Sequence, residues 1–158
     1  MRFWHAAVWL ATLLLLPSVA SAQPATAVTA RVAKSANVPE DTAMLVNAAS
    51  GLIVISGCGH AGIANTLEYA RQVVHEAPIE AAIGGFHLFA ATDDQLAWTA
   101  GRLRAAGIRH LLGAHCTGIE AVFRLRQLTG LARRNAVVGA VGSTYTLGSG
   151  VAALSLAK

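Results

Sequence analysis

A chain of 158 residues has room for one small domain once an apolar leader is set aside, and not for two. A formal charge of +4 and an aromatic content of 6% leave no basic stripe interleaved with stacking side chains, which argues against a nucleic-acid partner despite a sequence pI near 9.7. The hydrophobic fraction of 54% is raised by the leader and by many alanines.

The leader comes first. Arg2 gives a short positive start, residues 6–16 are apolar, Pro17 breaks the run, and Ala20-Ser21-Ala22 offers small residues for cleavage. This is the layout of a secretory signal peptide over residues 1–22. The apolar run is shorter than the roughly 20 residues a membrane span needs, so no stable membrane anchor is expected. The protein is then exported, to the periplasm or beyond. Residues 23–38 show no clear period and read as a linker or irregular extension, and residues 39–158 form the domain.

Within the domain, 43–47 and 52–56 are short apolar runs joined by Ala48-Ala49-Ser50-Gly51, a hairpin connection. Leu52-Ile53-Val54-Ile55 is continuous and largely β-branched, as in a strand buried on both faces. Gly57-Cys58-Gly59-His60 ends it. A helix is predicted over 61–75, with Ile63, Leu67, Ala70 and Val74 on one face. A strand over 79–83 ends at Gly84-Gly85-Phe86-His87. Thr92 and Gln95 form a capping box for a helix that turns Leu96, Ala100 and Leu103 inward and stops at Gly107. A strand over 108–113 ends at Ala114-His115-Cys116. Thr117 and Glu120 read as a second capping box, for a helix that buries Ile119, Val122 and Phe123 and closes at Gly130. Two short strands, 136–141 and 144–147, complete the chain.

The order is strand, polar turn, helix, three times over, which predicts an α/β layered fold with its ligand site beyond the carboxyl ends of the strands. His60, His87 and His115 sit at those three ends. Imidazole is the commonest metal ligand, and a histidine just past a buried strand is held on a rigid base while still facing water. Three of them can converge on one ion. His5, His75 and His110 lie elsewhere in the pattern. Cys58 and Cys116, each beside one of these histidines, suit either a polar site or one disulfide in an oxidising compartment. Other chemistry is poorly supported. Ser56 and Ser143 lack a G-x-S-x-G elbow, no dinucleotide glycine pattern stands between a strand and a helix, and Asp93 and Asp94 open a helix, where carboxylates favour the dipole. Arg102, Arg104, Arg109, Arg124 and Arg126 read as solvated faces.

Four segments resemble a known family. Gly57-Cys58-Gly59-His60-Ala61-Gly62-Ile63-Ala64-Asn65-Thr66 resembles the G-C-[SG]-H-x-G-I-x-N-T segment of a metallo-β-lactamase-fold subgroup. Ile83-Gly84-Gly85-Phe86-His87-Leu88 resembles its I-G-G-[FL]-H-L segment, His115-Cys116-Thr117-Gly118 its H-C-T-G segment, and Val141-Gly142-Ser143 its closing V-G-[STA]. The subgroup is the one resembling dihydropterin-methyl-ribofuranosylaminobenzene phosphate synthase. The resemblance implies the C-terminal half of an αββα sandwich. It also implies a hydrolytic site with one or two divalent metals, usually zinc, and a small-molecule ester, phosphoester or lactam as substrate. It makes His60 and His115 metal ligands and His87 a donor to substrate or leaving group. It puts Cys58 where many relatives hold a bridging aspartate, so that Cys58 and His87 are the candidate catalytic residues.

The family's H-x-H-x-D-H string, which supplies most of its metal ligands, does not occur among the 158 residues. The expectation is therefore a hydrolase weakly active or inactive alone, completed by self-pairing or by a complementing chain. The alternative is a non-catalytic remnant or binding module without a tight metal.

Overall fold

The computed structural model describes residues 26–32 and 41–153. The leader and its cleavage positions lie outside the described residues. Eight strands and three α-helices follow in chain order: β1 Thr26–Val32, β2 Asp41–Ala48, β3 Gly51–Ser56, α1 Ile63–Val73, β4 Ile79–Gly84, α2 Asp93–Ala105, β5 His110–Gly113, α3 Ile119–Thr129, β6 Ala136–Val138, β7 Thr144–Thr146 and β8 Gly150–Ala152. Among the described residues no helix is long and apolar enough to cross a membrane.

β1 to β6 form one sheet in sequence order. β1, β2 and β3 pair antiparallel, and β3 to β6 pair parallel, so the sheet is a meander grafted onto three strand–helix–strand units. The parallel part takes the continuous apolar runs that such strands require. Leu52, Ile53 and Val54 are all buried, and so are Ile79, Ala81 and Ala82.

All three helices pack into one core. Ile63, Leu67 and Ala70 of α1, Leu96, Ala100 and Leu103 of α2, and Ala121 and Leu125 of α3 cluster with Leu45, Val54, Ala82 and Leu111 of the sheet. The spacing of three and four residues along each helix places these side chains on one stripe. The opposite face carries Ala48, Ile53 and Ala81, with Val46, Ile55, Ile83 and Tyr145 against them. Tyr145 brings the β7–β8 hairpin against this face. This is an α/β layer pair, the partial αββα arrangement expected from the motifs.

The caps explain where the helices start and stop. Thr92 and Gln95 form the capping box in both directions, and Gly107, at φ 71, takes the chain out of α2. Gly130 is left-handed and ends α3.

Several expectations change. Thr26–Val32, read as part of a linker or irregular extension, is a strand paired to β2 from Thr26–Asn47 to Val32–Asp41. Thr117 does not cap α3; Gly118 does, without a side chain, because the Thr117 hydroxyl is spent between two strand-end loops. On α3 the buried residues are Ala121, Val122 and Leu125, while Ile119 is 73% exposed and Phe123 45% exposed. A final strand, β8, pairs with β7. Arg109 is not a free solvated side chain: its guanidinium donates to the buried carboxylate of Glu80 at 2.9 Å.

Glu80 sits where β4 slips register against β3, next to the Leu52–Ile53 irregularity. Its carboxylate also accepts from the Tyr145 hydroxyl at 3.3 Å and lies 3.4 Å from His110 Nδ1. Burial, then the charge and hydrogen bond of Glu80, push the Tyr145 hydroxyl up to about 12 from 10.0, with Arg109 opposing. A raised phenol pKa favours the folded state while the phenol is protonated. That stability is complete below pH 10.0 and is lost as pH rises through about 12. We expect the urea midpoint of the native chain to fall over this window, and Tyr145→Phe to remove that component of the fall. Leu111→Ala, at a fully buried position, should cost about 2–5 kcal/mol in the same measurement at neutral pH.

Candidate metal centre at the strand ends

β3, β4 and β5 end at one level, with Ser56 paired to Gly84 and Gly84 to Gly113. The loops leaving them start side by side and are tied together by hydrogen bonds. The Gly57 carbonyl accepts the Gly85 N–H at 3.0 Å and lies 3.0 Å from His115 Nε2. The Gly84 carbonyl accepts the Ala114 N–H at 2.8 Å and the Thr117 hydroxyl at 3.3 Å. Thr117, fully buried, in turn accepts the Phe86 N–H at 3.0 Å. The Leu88 and Phe89 N–H groups both reach the Cys116 carbonyl, at 3.1 and 3.2 Å.

Glycine is required where the loops touch. A Cβ on Gly85 would stand 2.6 Å from the Gly57 oxygen and 2.6 Å from His115 Cε1. No real side chain makes such contacts, so the bare Gly85 backbone is the floor on which the His115 ring lies. Two histidines carry left-handed backbone, His87 at φ 50 and His115 at φ 28. Each such conformation costs on the order of 1–3 kcal/mol and persists only where its surroundings hold it. Here the hydrogen bonds to Cys116, Gly84 and Gly57 do so.

The expected site residues fall into two adjoining groups. Cys58, His115 and Cys116 bring their donor atoms within 4.8 Å of one another. His60 and His87 pair separately, edge to face, with ring centroids 4.5 Å apart. His87 continues the array onto Phe89, also edge to face, at 5.3 Å. Among the described residues the three histidines therefore do not form one three-donor group. His115 joins the two thiols instead, and His60 faces His87. Cys58 and Cys116 are free thiols, with the Cys116 Sγ donating to the Cys58 carbonyl at 3.2 Å.

Asp41 was not legible from sequence. It is buried at the start of β2, and its carboxylate accepts the Ala61 N–H at 3.0 Å, which steadies the loop that carries Cys58 and His60. A lone carboxylate ahead of an apolar run gives no periodic signal. The Cys58 thiol is pushed up from its ordinary 9.0, first by burial, then by its hydrogen bond with Cys116 and by the negative charge that Cys116 and Asp41 carry when ionised.

Two thiols and an imidazole fit a borderline-soft divalent ion, and three protein donors match the ligand count of catalytic zinc sites. His115 Nε2 is committed to the Gly57 carbonyl, which leaves Nδ1 as its ligating nitrogen. The assembled donors suit one ion.

Fold and motifs define the class: a partial metallo-β-lactamase-type α/β layer. The chain is similar to a metal-dependent hydrolase of the beta-lactamase superfamily of known crystal structure, with 29% identity and a TM-score of 0.55, over 58% of this chain and 36% of that one. It is also 32% identical over 85 residues to the 7,8-dihydropterin-6-methyl-4-(beta-D-ribofuranosyl)-aminobenzene-5'-phosphate synthase of Methanocaldococcus jannaschii, covering 54% of this chain and 29% of that protein. An uncharacterized protein of the same organism is 34% identical over 90 residues, 57% of this chain and 32% of that protein. The matched region spans about a third of each curated relative. No family model matches the chain.

Two substitutions test this geometry. Thr117→Val removes a buried hydroxyl that serves two loops and should destabilise the protein by about 1–3 kcal/mol in urea denaturation. Gly85→Ala should displace the His115 ring and lower zinc affinity about 10–100-fold, read by competition with a chromophoric chelator.

Proposed function

We propose that this chain carries part of the metal site of a metal-dependent hydrolase acting on an ester, phosphoester or similar bond in a small molecule. The observation that carries the reading is the convergence of Cys58, His115 and Cys116 at the ends of parallel strands, in the fold of a metal-dependent hydrolase. Zinc is the ion this donor set suits best. Cys58, His115 and Cys116 would hold a divalent ion, which would supply Lewis acidity and a water nucleophile near neutral pH.

The chain's own residues position and move protons. Gly57 and Gly85 fix the His115 ring, so its tautomer is set by one hydrogen bond. Asp41 holds the backbone beyond His60. His87 is exposed and paired with His60, so it can reach solvent or substrate, and an imidazole can donate or accept a proton there. We assign His87 the role of donor to substrate or leaving group. His60 orients His87 through their edge-to-face contact. Cys58 is assigned to the metal rather than to the reacting bond.

The Arg2 start, the apolar run and Ala20-Ser21-Ala22 support export to the periplasm or beyond. The 158 residues hold no H-x-H-x-D-H string, so we propose that full activity needs that string from a complementing chain.

Metal content decides the reading. Gently purified native chain should carry about one equivalent of zinc, iron or manganese, and His115→Ala and Cys116→Ser should each fall below about a tenth. A native chain already below that level would leave the alternative, a binding module without a tight metal. Turnover of bis-p-nitrophenyl phosphate and nitrocefin by the chain alone should stay near background; robust metal-dependent turnover would show the need for a complementing chain to be wrong.

A further inference from the structure

Cys58 and Cys116 stand 58 residues apart in the chain and meet only at the strand ends. Cys58 lies in the loop that leaves β3, Cys116 in the turn that leaves β5, and β4 runs between those two strands. Both are free, half-buried thiols, and their sulfurs lie within 4.8 Å of each other. The Cys116 thiol already rests on the backbone of its counterpart, donating to the Cys58 carbonyl at 3.2 Å.

A disulfide holds its two sulfurs about 2.05 Å apart. A change of χ1 rotamer swings a cysteine sulfur by about 3 Å, so side-chain rotation is the scale of movement that pairing needs. The backbones stay in place meanwhile. The Cys116 carbonyl is held by the Leu88 and Phe89 N–H groups, and the Gly57 carbonyl next to Cys58 is held by the Gly85 N–H. Two thiols kept together in this way react within the molecule, which favours a link between them over a link to a small thiol from solution.

The same two sulfurs are two of the three donors in the group with His115. A thiolate ligates a metal, and a disulfide sulfur does not replace it. Pairing the cysteines therefore leaves His115 as the one remaining donor of that group. Conversely, an ion that holds both thiolates keeps them from attacking a disulfide. The two states exclude each other because they use the same atoms.

We propose that Cys58 and Cys116 form a reversible redox pair that gates the metal: the dithiol form takes the ion and the disulfide form does not. The proposal rests on the reading of Cys58, His115 and Cys116 as metal donors, and it deepens that reading by naming how the site is regulated. The oxidant is a small-molecule disulfide. One cysteine sulfur attacks it, its S–S bond breaks, and one thiol leaves with the proton. The second cysteine then attacks the mixed disulfide at the protein sulfur and releases the other thiol. The two cysteines lose two electrons and two protons in all, and the small disulfide gains them.

The full native chain, stripped of metal and reduced, tests this with an excess of oxidised glutathione. Thiols titrated in denaturant should fall from two to none, and the intact mass should drop by about 2 Da. A digest with trypsin under non-reducing conditions should join the peptides 35–71 and 110–124, and dithiothreitol should part them. Zinc affinity, read by competition with a chromophoric chelator, should be at least about 100-fold weaker for the oxidised chain and should return on reduction. Zinc added before glutathione should slow the loss of thiols at least about tenfold. Two thiols that persist, glutathione left on either cysteine in place of the link, or equal zinc affinity in the two forms would overturn the proposal. Zinc uptake by the reduced chain without a linked peptide sinks the redox gate and spares the metal centre. A linked peptide with no zinc uptake by the reduced chain sinks the metal centre, and the gate with it.

Discussion

One carbonyl oxygen, that of Gly57, ties the functional end of this molecule together. It receives the Gly85 N–H and the His115 ring nitrogen, so three loops from three parallel strands meet at a single acceptor. The meeting is possible only because Gly85 has no side chain, since a Cβ there would occupy the place of both the Gly57 oxygen and the His115 ring. Parallel pairing brings the strand ends to one level, and the missing side chains let the loops close the remaining distance.

The rest of the site follows from that closure. With its ring on the Gly85 backbone, His115 is held at positive φ and turned toward Cys58 and Cys116 rather than toward the other two histidines. His87, also at positive φ, is left to stack between His60 and Phe89. Two strained histidines mark two neighbouring groups: a donor cluster of thiols and imidazole, and an edge-to-face row of His60, His87 and Phe89. Thr117 serves the same closure from below, bridging the Gly84 carbonyl and the Phe86 N–H. The strain is small beside the hydrogen bonds and the core that hold it.

The two faces of the sheet are built differently. One is covered by three helices around a continuous apolar core. The other is covered by a hairpin anchored through the Tyr145 hydroxyl to a carboxylate, Glu80, that also takes Arg109. Glu80 is the buried member of that group, and Arg109, Tyr145 and His110 all reach its carboxylate, so its burial is compensated from three sides. The polar anchor lies at the opposite end of β4 from the histidine loops, so it fixes the hairpin without touching the site.

Local sequence determined the elements whose signals are themselves local. The apolar runs of β3 and β4, the α1 stripe of Ile63, Leu67 and Ala70, the Thr92–Gln95 box and the glycines closing α2 and α3 all depend on residues within a few positions of one another. The motif order and the strand-end placement of His60, His87 and His115 were legible for the same reason. Tertiary structure alone decided which of these residues meet. That Thr117 bridges loops instead of capping α3, that a strand forms at Thr26–Val32, that Asp41 supports the Cys58 loop and that His115 pairs with two cysteines rather than two histidines are all long-range contacts. Apart from Cys116, which adjoins His115, their partners lie from about ten to almost sixty residues apart in the chain. No window of sequence contains both ends of such a contact, and the direction in which a side chain leaves its loop is fixed by the neighbours it meets only after the sheet has formed.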